Sequence, residues 1–249
     1  MPTTEPRVLL LGGVDPSGGA GLSLDAIVVA AHGGHALPVP IVLTAQNRSG
    51  FRAAFPVPEG QWRAALAAAL EDGEIAAVKV GLLGGPAAVR AVAAALRGVA
   101  GAPIVVDPVL SATAGGFAGG EDLVAAYRER LLPLADLVTP NLGEYAALFG
   151  GGGHSGVGAV LQKGGHGEGP EVEDVLFAAA AEHRFRRRRL AVGEVRGTGC
   201  ALAAAIAAKL ASGVGLVRAC REAGDWLHAR LVRLGAPRAD GLPHVLTVG

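Results

Sequence analysis

Residues 8–31 of the 249-residue chain read VLLLGGVDPSGGAGLSLDAIVVAA. The apolar run Val8–Leu11 has the length of a buried strand, and a glycine-rich loop separates it from a helical pattern at Gly21–Ala31. A strand that leads through glycines into a helix predicts the first half of a βα unit. The loop contains Gly19 and Gly21 but neither the dinucleotide fingerprint nor the Gly-Lys-Ser/Thr of a P-loop, so both of those classes are disfavoured.

The same alternation of strand and helix continues along the chain. Strands are predicted at Val8–Leu11, Pro38–Thr44, Ala77–Val80, Ile104–Val106, Leu137–Val138, Ala159–Leu161, Val175–Ala178 and Arg184–Ala191. Helices are predicted at Gly21–Ala31, Gly60–Leu70, Pro86–Leu96, Gly120–Leu131, Leu142–Phe149, Cys200–Ala211 and Leu216–Leu234. We therefore expect one α/β domain over residues 1–249, with a mostly parallel sheet covered on both faces.

The composition excludes several classes of protein. Hydrophobic residues make up 51% and charged residues 18%, which favours a large core over disorder. Lys+Arg and Asp+Glu both number 22, so the basic excess expected of a nucleic-acid binder is absent, and we interpret the arginine run at 183–190 as a solvated strand or hairpin. We expect no signal peptide or membrane span, and the two cysteines, Cys200 and Cys220, favour a reducing cytoplasmic compartment over a disulfide framework.

Polar residues follow several predicted strands at their carboxyl ends. They are Asp15, Gln46, Asn47, Asp107, Asn141, Glu144 and Lys163. Ligands of open α/β sheets bind at that edge, so the pattern predicts one site there. Simpler interpretations stay open for four of these residues. Asp15 suits a turn, Gln46 suits an exposed turn after a strand, Glu144 suits the first turn of a helix, and Lys163 suits a solvated surface.

The stretch Arg196–Cys200, RGTGC, places two glycines directly before an alanine-rich helix. Glycines let backbone amides approach a ligand, and a helix N-terminus attracts anions, so the stretch suits a phosphate-sized anion site with Cys200 beside it. In that position we expect the pKa of the thiol to fall below its usual range. A glycine-rich helix cap with a cysteine packed as a small apolar residue fits the same letters.

Seven motifs occur in a fixed order along nearly the whole chain. They are GVDPSGGAG, LTAQN, KVGLL, VVDPVLSATAG, LVTPNLGE, LQKGGH and GTGC. Together they resemble the hydroxymethylpyrimidine/phosphomethylpyrimidine kinase family of thiamine biosynthesis, which belongs to the ribokinase-like superfamily. The resemblance implies a three-layer α/β/α sandwich that phosphorylates 4-amino-5-hydroxymethyl-2-methylpyrimidine, its monophosphate or both, with ATP and Mg²⁺. It also implies a homodimer, which is common among similar proteins.

The resemblance implies roles for individual residues as well. Gln46 and Asp25 would hydrogen-bond the pyrimidine ring, and Gly13, Val14 and Leu82 would line its pocket. The nucleotide would be bound by Asn141, Lys163, Thr198 and Arg196. Asp107 and Glu144 would face Mg²⁺, mostly through water. The Gly197, Gly199 and Cys200 amides would hold the transferring phosphoryl group, and the Cys200 thiol would accept or steer the proton of the alcohol.

The sequence departs from the family pattern at four places. Ile27 and Thr113 stand where lysines are common, Arg196 stands where histidine is usual, and a helix expected after Phe149 is replaced by a glycine-rich segment. Arg196 is therefore expected to restore one positive charge near the phosphates. Two alternatives stay open: a pyridoxal-kinase-like enzyme acting on another hydroxymethyl heterocycle, and a non-catalytic protein that binds the pyrimidine.

Overall fold

The computed structural model of the chain describes residues 5–99, 101–110, 120–150, 153–154, 156–165 and 167–248. The strands are β1 Arg7–Val14, β2 His35–Asn47, β3 Gly50–Pro56, β4 Ala77–Val80, β5 Ile104–Val106, β6 Leu137–Val138, β7 Ala159–Gln162, β8 Glu171–Ala178, β9 Ala181–Arg188, β10 Val195–Arg196 and β11 His244–Val245. The helices are α1 Gly21–Ala31, α2 Glu59–Glu71, α3 Pro86–Leu96, α4 Glu121–Ala126, α5 Leu142–Phe149, α6 Thr198–Ala211 and α7 Leu216–Leu234.

Nine of these strands form one sheet in the order β3-β2-β1-β4-β5-β6-β7-β8-β9, and β10 pairs with β11 separately. The pairs from β2 to β7 are parallel, whereas β3, β8 and β9 are antiparallel to their neighbours. The mostly parallel sheet predicted from the sequence is confirmed. Because connected parallel strands end at one edge, the segments after β1, β4, β5, β6 and β7 converge there.

Helices cover both faces of the sheet, which gives three layers. Alternate residues of β1 face opposite ways: Leu9 and Leu11 pack with α2, α3, α4 and α5, while Val8 and Leu10 pack with α1, α6 and α7. Helix α6 is the most enclosed, with every residue from Ala201 to Ala208 buried. Its alanines let it lie close to the sheet, so its N-terminus is held firmly at the sheet edge.

Several predicted boundaries were wrong in informative ways. Gln46 and Asn47 belong to β2 rather than following it, and β3 was not predicted. The helix expected at Gly120–Leu131 is α4 followed by a π-helical turn at Tyr127–Leu131. The strand expected at Arg184–Ala191 is β9, which forms a hairpin with β8 as the arginine-run interpretation required.

Two of the departures noted in the sequence are Thr113 and the glycine-rich segment that follows Phe149. Thr113 lies outside the described residues. After α5, His154 packs against an aromatic group, and its Nε2 lies 2.7 Å from the Tyr145 hydroxyl. Phe149 and Phe177 complete that group with ring centroids 5.1 and 4.6 Å from His154.

Candidate active site

Lys163 and Asp107 form the centre of the cluster at the sheet edge. Lys163 follows β7 and donates from Nζ to Oδ1 of Asp107, at 2.7 Å, in a pair that is largely buried. Thr139 donates to the same oxygen at 3.4 Å. Burial alone would raise the pKa of Asp107, but the charges of Lys163 and Lys79 outweigh it and lower that pKa. Asp107 is therefore a buried, ionised carboxylate.

Glu144 lies beside this pair at the start of α5. It accepts from the Asn141 amide at 2.8 Å, and the Asn141 side chain accepts from the Glu144 amide at 2.9 Å, which is a capping box. The helix-start interpretation of Glu144 is thus confirmed. Burial raises its pKa to about 7, with Lys163 opposing and Asp107 adding repulsion. Two carboxylates in mutual repulsion would therefore face any ligand at this edge.

The GTGC turn packs against the first glycine loop and stays partly exposed. Gly197 has φ +74°, and a Cβ there would lie 2.1 Å from the carbonyl oxygen of Gly19. A Cβ on Gly199 would lie 3.0 Å from Lys163 Nζ. The helical hydrogen bonds of α6 begin with the Ala201 amide, which donates to Gly197. Any larger residue would thus disturb either the loop contact or the lysine.

The expected pKa of Cys200 was wrong. Desolvation raises the pKa of the thiol to about 11, and the opposing effects of Lys79 and of the Gly21 amide are smaller. The helix N-terminus does not overcome burial here, because Asp25 and Asp107 add negative charge nearby. Cys200 is therefore a neutral thiol at pH 7. Cys220 is buried in α7 with a pKa of about 12, in agreement with a structural role.

The sequence interpretation missed the buried ion pair of Lys79 and Asp25. Lys79 on β4 donates to Asp25 on α1 at 2.6 Å, and each side chain is 1% exposed. Burial raises the pKa of Asp25 to about 6 against the pull of Lys79. Asp25 therefore lies beneath the site, with one oxygen on Lys79 and the other without a hydrogen-bond partner in the described part of the chain. A lysine inside the apolar strand AVKV was the available signal, since a buried charge needs a partner.

The residues predicted to line the substrate pocket lie together at the ends of β1, β2 and β4. A Cβ on Gly13 would lie 3.2 Å from both Leu82 and Val42 side chains, so Leu82 packs directly over Gly13. The Thr44 hydroxyl donates to the Val14 carbonyl at 2.8 Å. These contacts form an apolar wall beside Gln46, which is partly exposed.

Arg196 lies against Gln46, one of the residues predicted to bind the substrate, whereas it was expected to bind the nucleotide phosphates. Its guanidinium donates to the Gln46 side-chain oxygen at 2.5 Å and to the Asn47 carbonyl. It also lies 3.9 Å from Asp15 Oδ2. Asp15 itself accepts from the amide and the hydroxyl of Ser17, which supports the turn interpretation of that residue.

The predicted site residues are thus brought together in two adjoining groups. The cationic and acidic group contains Asp107, Asn141, Glu144, Lys163, Thr198, Gly199 and Cys200, and the pocket group contains Gly13, Val14, Gln46, Leu82 and Arg196. The buried pair of Asp25 and Lys79 lies near the first of these groups, where both charges affect the pKa of Cys200 and the Lys79 charge lowers the pKa of Asp107. A separate cavity of about 310 Å³ is lined by Gly164, Glu171 and Arg189 among others. None of the residues of the two groups lines it.

The family described as phosphomethylpyrimidine kinase matches residues 15–239 of the chain. The chain belongs to the phosphomethylpyrimidine kinase family. Among relatives of this kinase family, the hydroxymethylpyrimidine/phosphomethylpyrimidine kinase of Rhizobium meliloti is 38% identical over 238 residues, covering 90% of this chain and 89% of its own. The Escherichia coli kinase of the same name is 35% identical, covering 91% of each chain. The predicted family and enzyme class are confirmed.

Solved structures confirm the ribokinase-like fold predicted for this kinase. Phosphomethylpyrimidine kinase from Clostridium difficile 630 superimposes with a TM-score of 0.78 at 26% identity, covering 90% of this chain and 99% of its own. Pyridoxal kinase from Staphylococcus aureus, in complex with AMP-PCP and pyridoxal, gives a TM-score of 0.85 at 21% identity and covers 99% and 94%. Within the described residues, none of the helices is long and apolar enough to cross a membrane.

Proposed function

We propose that this chain transfers the γ-phosphoryl group of ATP to 4-amino-5-hydroxymethyl-2-methylpyrimidine, to its monophosphate, or to both, as one domain over residues 1–249. The observation that supports this most directly is the position of the GTGC turn. It is partly exposed, packs on the first glycine loop through Gly197, and brings Gly199 against Lys163. An anion-binding helix start, a lysine and a substrate pocket then meet at one point.

The nucleotide phosphates would bind at the start of α6. The amides of Thr198, Gly199 and Cys200 precede the first helical hydrogen bond, which starts at Ala201, so they are available to a ligand. Lys163 is held at this point by Asp107 and would supply the positive charge for the transferring group. Asn141, whose amide side chain caps α5, would order the phosphates from the neighbouring strand end.

Mg²⁺ fits the acidic side of this cleft. Burial and, to a smaller degree, repulsion from Asp107 raise the pKa of Glu144 to about 7, and a divalent cation held near these two carboxylates would relieve that repulsion. The described part of the chain contains no group of three or more His, Cys, Asp and Glu side chains that could hold a metal. The ion would therefore be held through water and the nucleotide, as Mg²⁺ usually is, and would neutralise phosphate charge.

The pyrimidine would lie on the wall formed by Gly13, Val14 and Leu82, with Gln46 hydrogen-bonding its polar edge. The NH₂ group of this amide can donate to a ring nitrogen of the pyrimidine. Asp25 is buried and paired with Lys79, so we propose that it does not hydrogen-bond the pyrimidine directly. It would instead hold Lys79 in place and help to keep the Cys200 thiol neutral.

The chemistry would be positioning and charge stabilisation. The hydroxymethyl oxygen bonds to the γ-phosphorus, the bond from that phosphorus to the bridging oxygen breaks, and the electron pair leaves with ADP. Because the resting Cys200 thiol is neutral, we propose that it steers the hydroxyl group rather than removing its proton at the outset. The proton then passes to an oxygen of the transferred phosphoryl group. Transfer onto the monophosphate needs no such steering, since that acceptor is already anionic.

The test is ADP release by the purified chain with three acceptors: the hydroxymethylpyrimidine, its monophosphate, and pyridoxal. We expect turnover with one or both pyrimidines above that with pyridoxal, and a product one phosphate heavier by mass spectrometry. Preferred turnover of pyridoxal would contradict the pyrimidine assignment. Calorimetric binding of the pyrimidine without binding of an ATP analogue would instead identify a non-catalytic binding protein.

We propose further that the enzyme is a cytoplasmic homodimer. Both cysteines are free, which supports a reducing compartment. Leu43 on β2 and Phe55 on β3 are paired in register and are 47% and 57% exposed. Two large apolar side chains side by side at the sheet edge support a contact with a second copy. Light scattering of the chain and of Phe55→Arg tests this: a dimer converted to a monomer is expected, and an unchanged mass would contradict the contact.

A further inference from the structure

Arg196 forms a two-pronged contact between β10 and the end of β2. One terminal nitrogen donates to Oε1 of Gln46 at 2.5 Å, and the other donates to the Asn47 carbonyl. Arg196 is buried, and its backbone is held by pairing with Val245 of β11. A planar guanidinium with two acceptors on one strand has little rotational freedom, so both partners are fixed relative to it.

The chemistry of this contact determines which way the Gln46 amide points. Arginine has only donors, so the Gln46 atom that faces it must be the carbonyl oxygen. Turning the amide over would place its NH₂ group against the guanidinium and lose a charge-assisted hydrogen bond. The Nε2 group of Gln46 is therefore turned away from Arg196, and its two N–H donors have no hydrogen-bond partner among the residues that the structure describes.

Asp15 provides the charge that keeps Arg196 in place. Its Oδ2 lies 3.9 Å from the guanidinium, and its other oxygen is held by the amide and hydroxyl of Ser17. The Oδ2 atom is buried and has no hydrogen-bond partner in the described part of the chain. The arginine is thus a cation beside a buried carboxylate of the glycine loop, and its side chain connects β10 with that loop and with β2.

We propose that Arg196 is a positioning and specificity-determining residue, which fixes the Gln46 amide so that Nε2 donates to a ring nitrogen of a heteroaromatic substrate. This rests on the proposed function, in which Gln46 meets the substrate ring. Arg196 then selects acceptors whose ring nitrogen carries no proton at that position. It acts through Gln46 and does not contact the nucleotide phosphates.

The first test compares dissociation constants for hydroxymethylpyrimidine, measured by calorimetry without nucleotide. Arg196→Ala is expected to weaken pyrimidine binding about tenfold, the effect of one lost hydrogen bond, and to leave the KM for ATP within about twofold. Arg196→Lys is expected to recover part of this loss, because an ammonium group keeps the positive charge but cannot donate to both acceptors from two fixed nitrogens. In the Gln46→Ala background, Arg196→Ala should have no further effect. Additive losses, or a raised KM for ATP with unchanged pyrimidine binding, would overturn the proposal.

The second test detects the contact without any substrate, so it separates this proposal from the proposed function. The side-chain amide signals of Gln46, assigned in a ¹⁵N–¹H spectrum through Gln46→Ala, are expected to move in Arg196→Ala and Arg196→Lys. They should stay in place in Arg52→Ala, which removes an exposed arginine from the adjacent β3. Signals that do not respond to loss of Arg196 would overturn the proposal. Signals that respond in a chain that binds no pyrimidine would leave the contact established and refute its proposed role in recognition.

Discussion

The buried pair of Lys79 and Asp25 allows a quantitative prediction about stability. In Lys79→Met, Asp25 stays enclosed without its cation and is expected to take up a proton on folding. In Lys79→Met/Asp25→Asn, a neutral group of the same shape fills that place and no proton is needed. The free energies of unfolding of the two variants therefore differ by the free energy needed to protonate a carboxyl group whose ordinary pKa is 3.8. That cost is about 1.36 kcal/mol for each pH unit above this value.

The single variant is therefore expected to be less stable than the double variant by about 4 kcal/mol at pH 7 and by about 1.6 kcal/mol at pH 5. The sign follows from proton binding: the folded single variant binds one more proton than its unfolded chain, so its stability falls as pH rises above 3.8. The assay is urea unfolding at pH 5, 6 and 7, followed by circular dichroism and by the fluorescence of the buried Trp62 and the partly buried Trp226.

A matched pair on the surface provides the control. Arg63 and Glu59 lie 2.7 Å apart on α2, with both side chains well exposed. Arg63→Met and Arg63→Met/Glu59→Gln are expected to differ by less than about 0.5 kcal/mol at every pH. Equal stability of the two Lys79 variants at pH 7, without dependence on pH, would show that Asp25 is reached by water and would refute the reasoning.

Two further predictions concern the cleft. Glu144 has a pKa of about 7, so it gains a proton and loses its charge as pH falls from 8 to 6, and the KM for MgATP is expected to rise up to about tenfold. Glu144→Gln should give a KM that is high and flat over this range; a flat KM in the unchanged chain would contradict the charge assigned to Glu144. Gly197→Ala is expected to lower the free energy of unfolding by about 3 kcal/mol or more, because φ is +74° and the new Cβ would meet the Gly19 carbonyl oxygen at 2.1 Å. Gly60→Ala, in a helix with open space around it, should stabilise the chain by up to about 1 kcal/mol in the same urea unfolding assay, and equal losses in both variants would argue against the close approach.

Local pattern predicted much of the fold. The strands β4, β5 and β6 and the helices α1, α3, α5 and α7 lie within the bounds expected from apolar runs and helical spacing. β3 was missed because GFRAAFP is a partly exposed antiparallel edge without a clear alternation. β10 and β11 are two residues each and exist because segments about 50 residues apart meet. Short elements of this kind depend on tertiary contacts rather than on local propensity.

The site was predictable where its residues follow strands and was not predictable where charges pair at long range. Lys163, Asp107 and Asn141 converge as the parallel topology requires. The contacts of Lys79 with Asp25 and of Arg196 with Gln46 join residues 54 and 150 positions apart, and nothing in their local sequence specifies the partner. The prediction of a lowered pKa for Cys200 was wrong for the same reason. Burial and the nearby carboxylates raise that pKa by more than the helix N-terminus lowers it.

In the proposed mechanism, the start of α6 places the neutral thiol of Cys200 beside the alcohol that receives the phosphoryl group. The measurement that tests it most directly is single-turnover phosphoryl transfer in Cys200→Ala, with the hydroxymethylpyrimidine and its monophosphate as separate acceptors. We expect transfer to the alcohol to slow about tenfold to a hundredfold, while transfer to the monophosphate stays within about threefold. Transfer to the alcohol at the original rate, or an equal loss with both acceptors, would contradict the account.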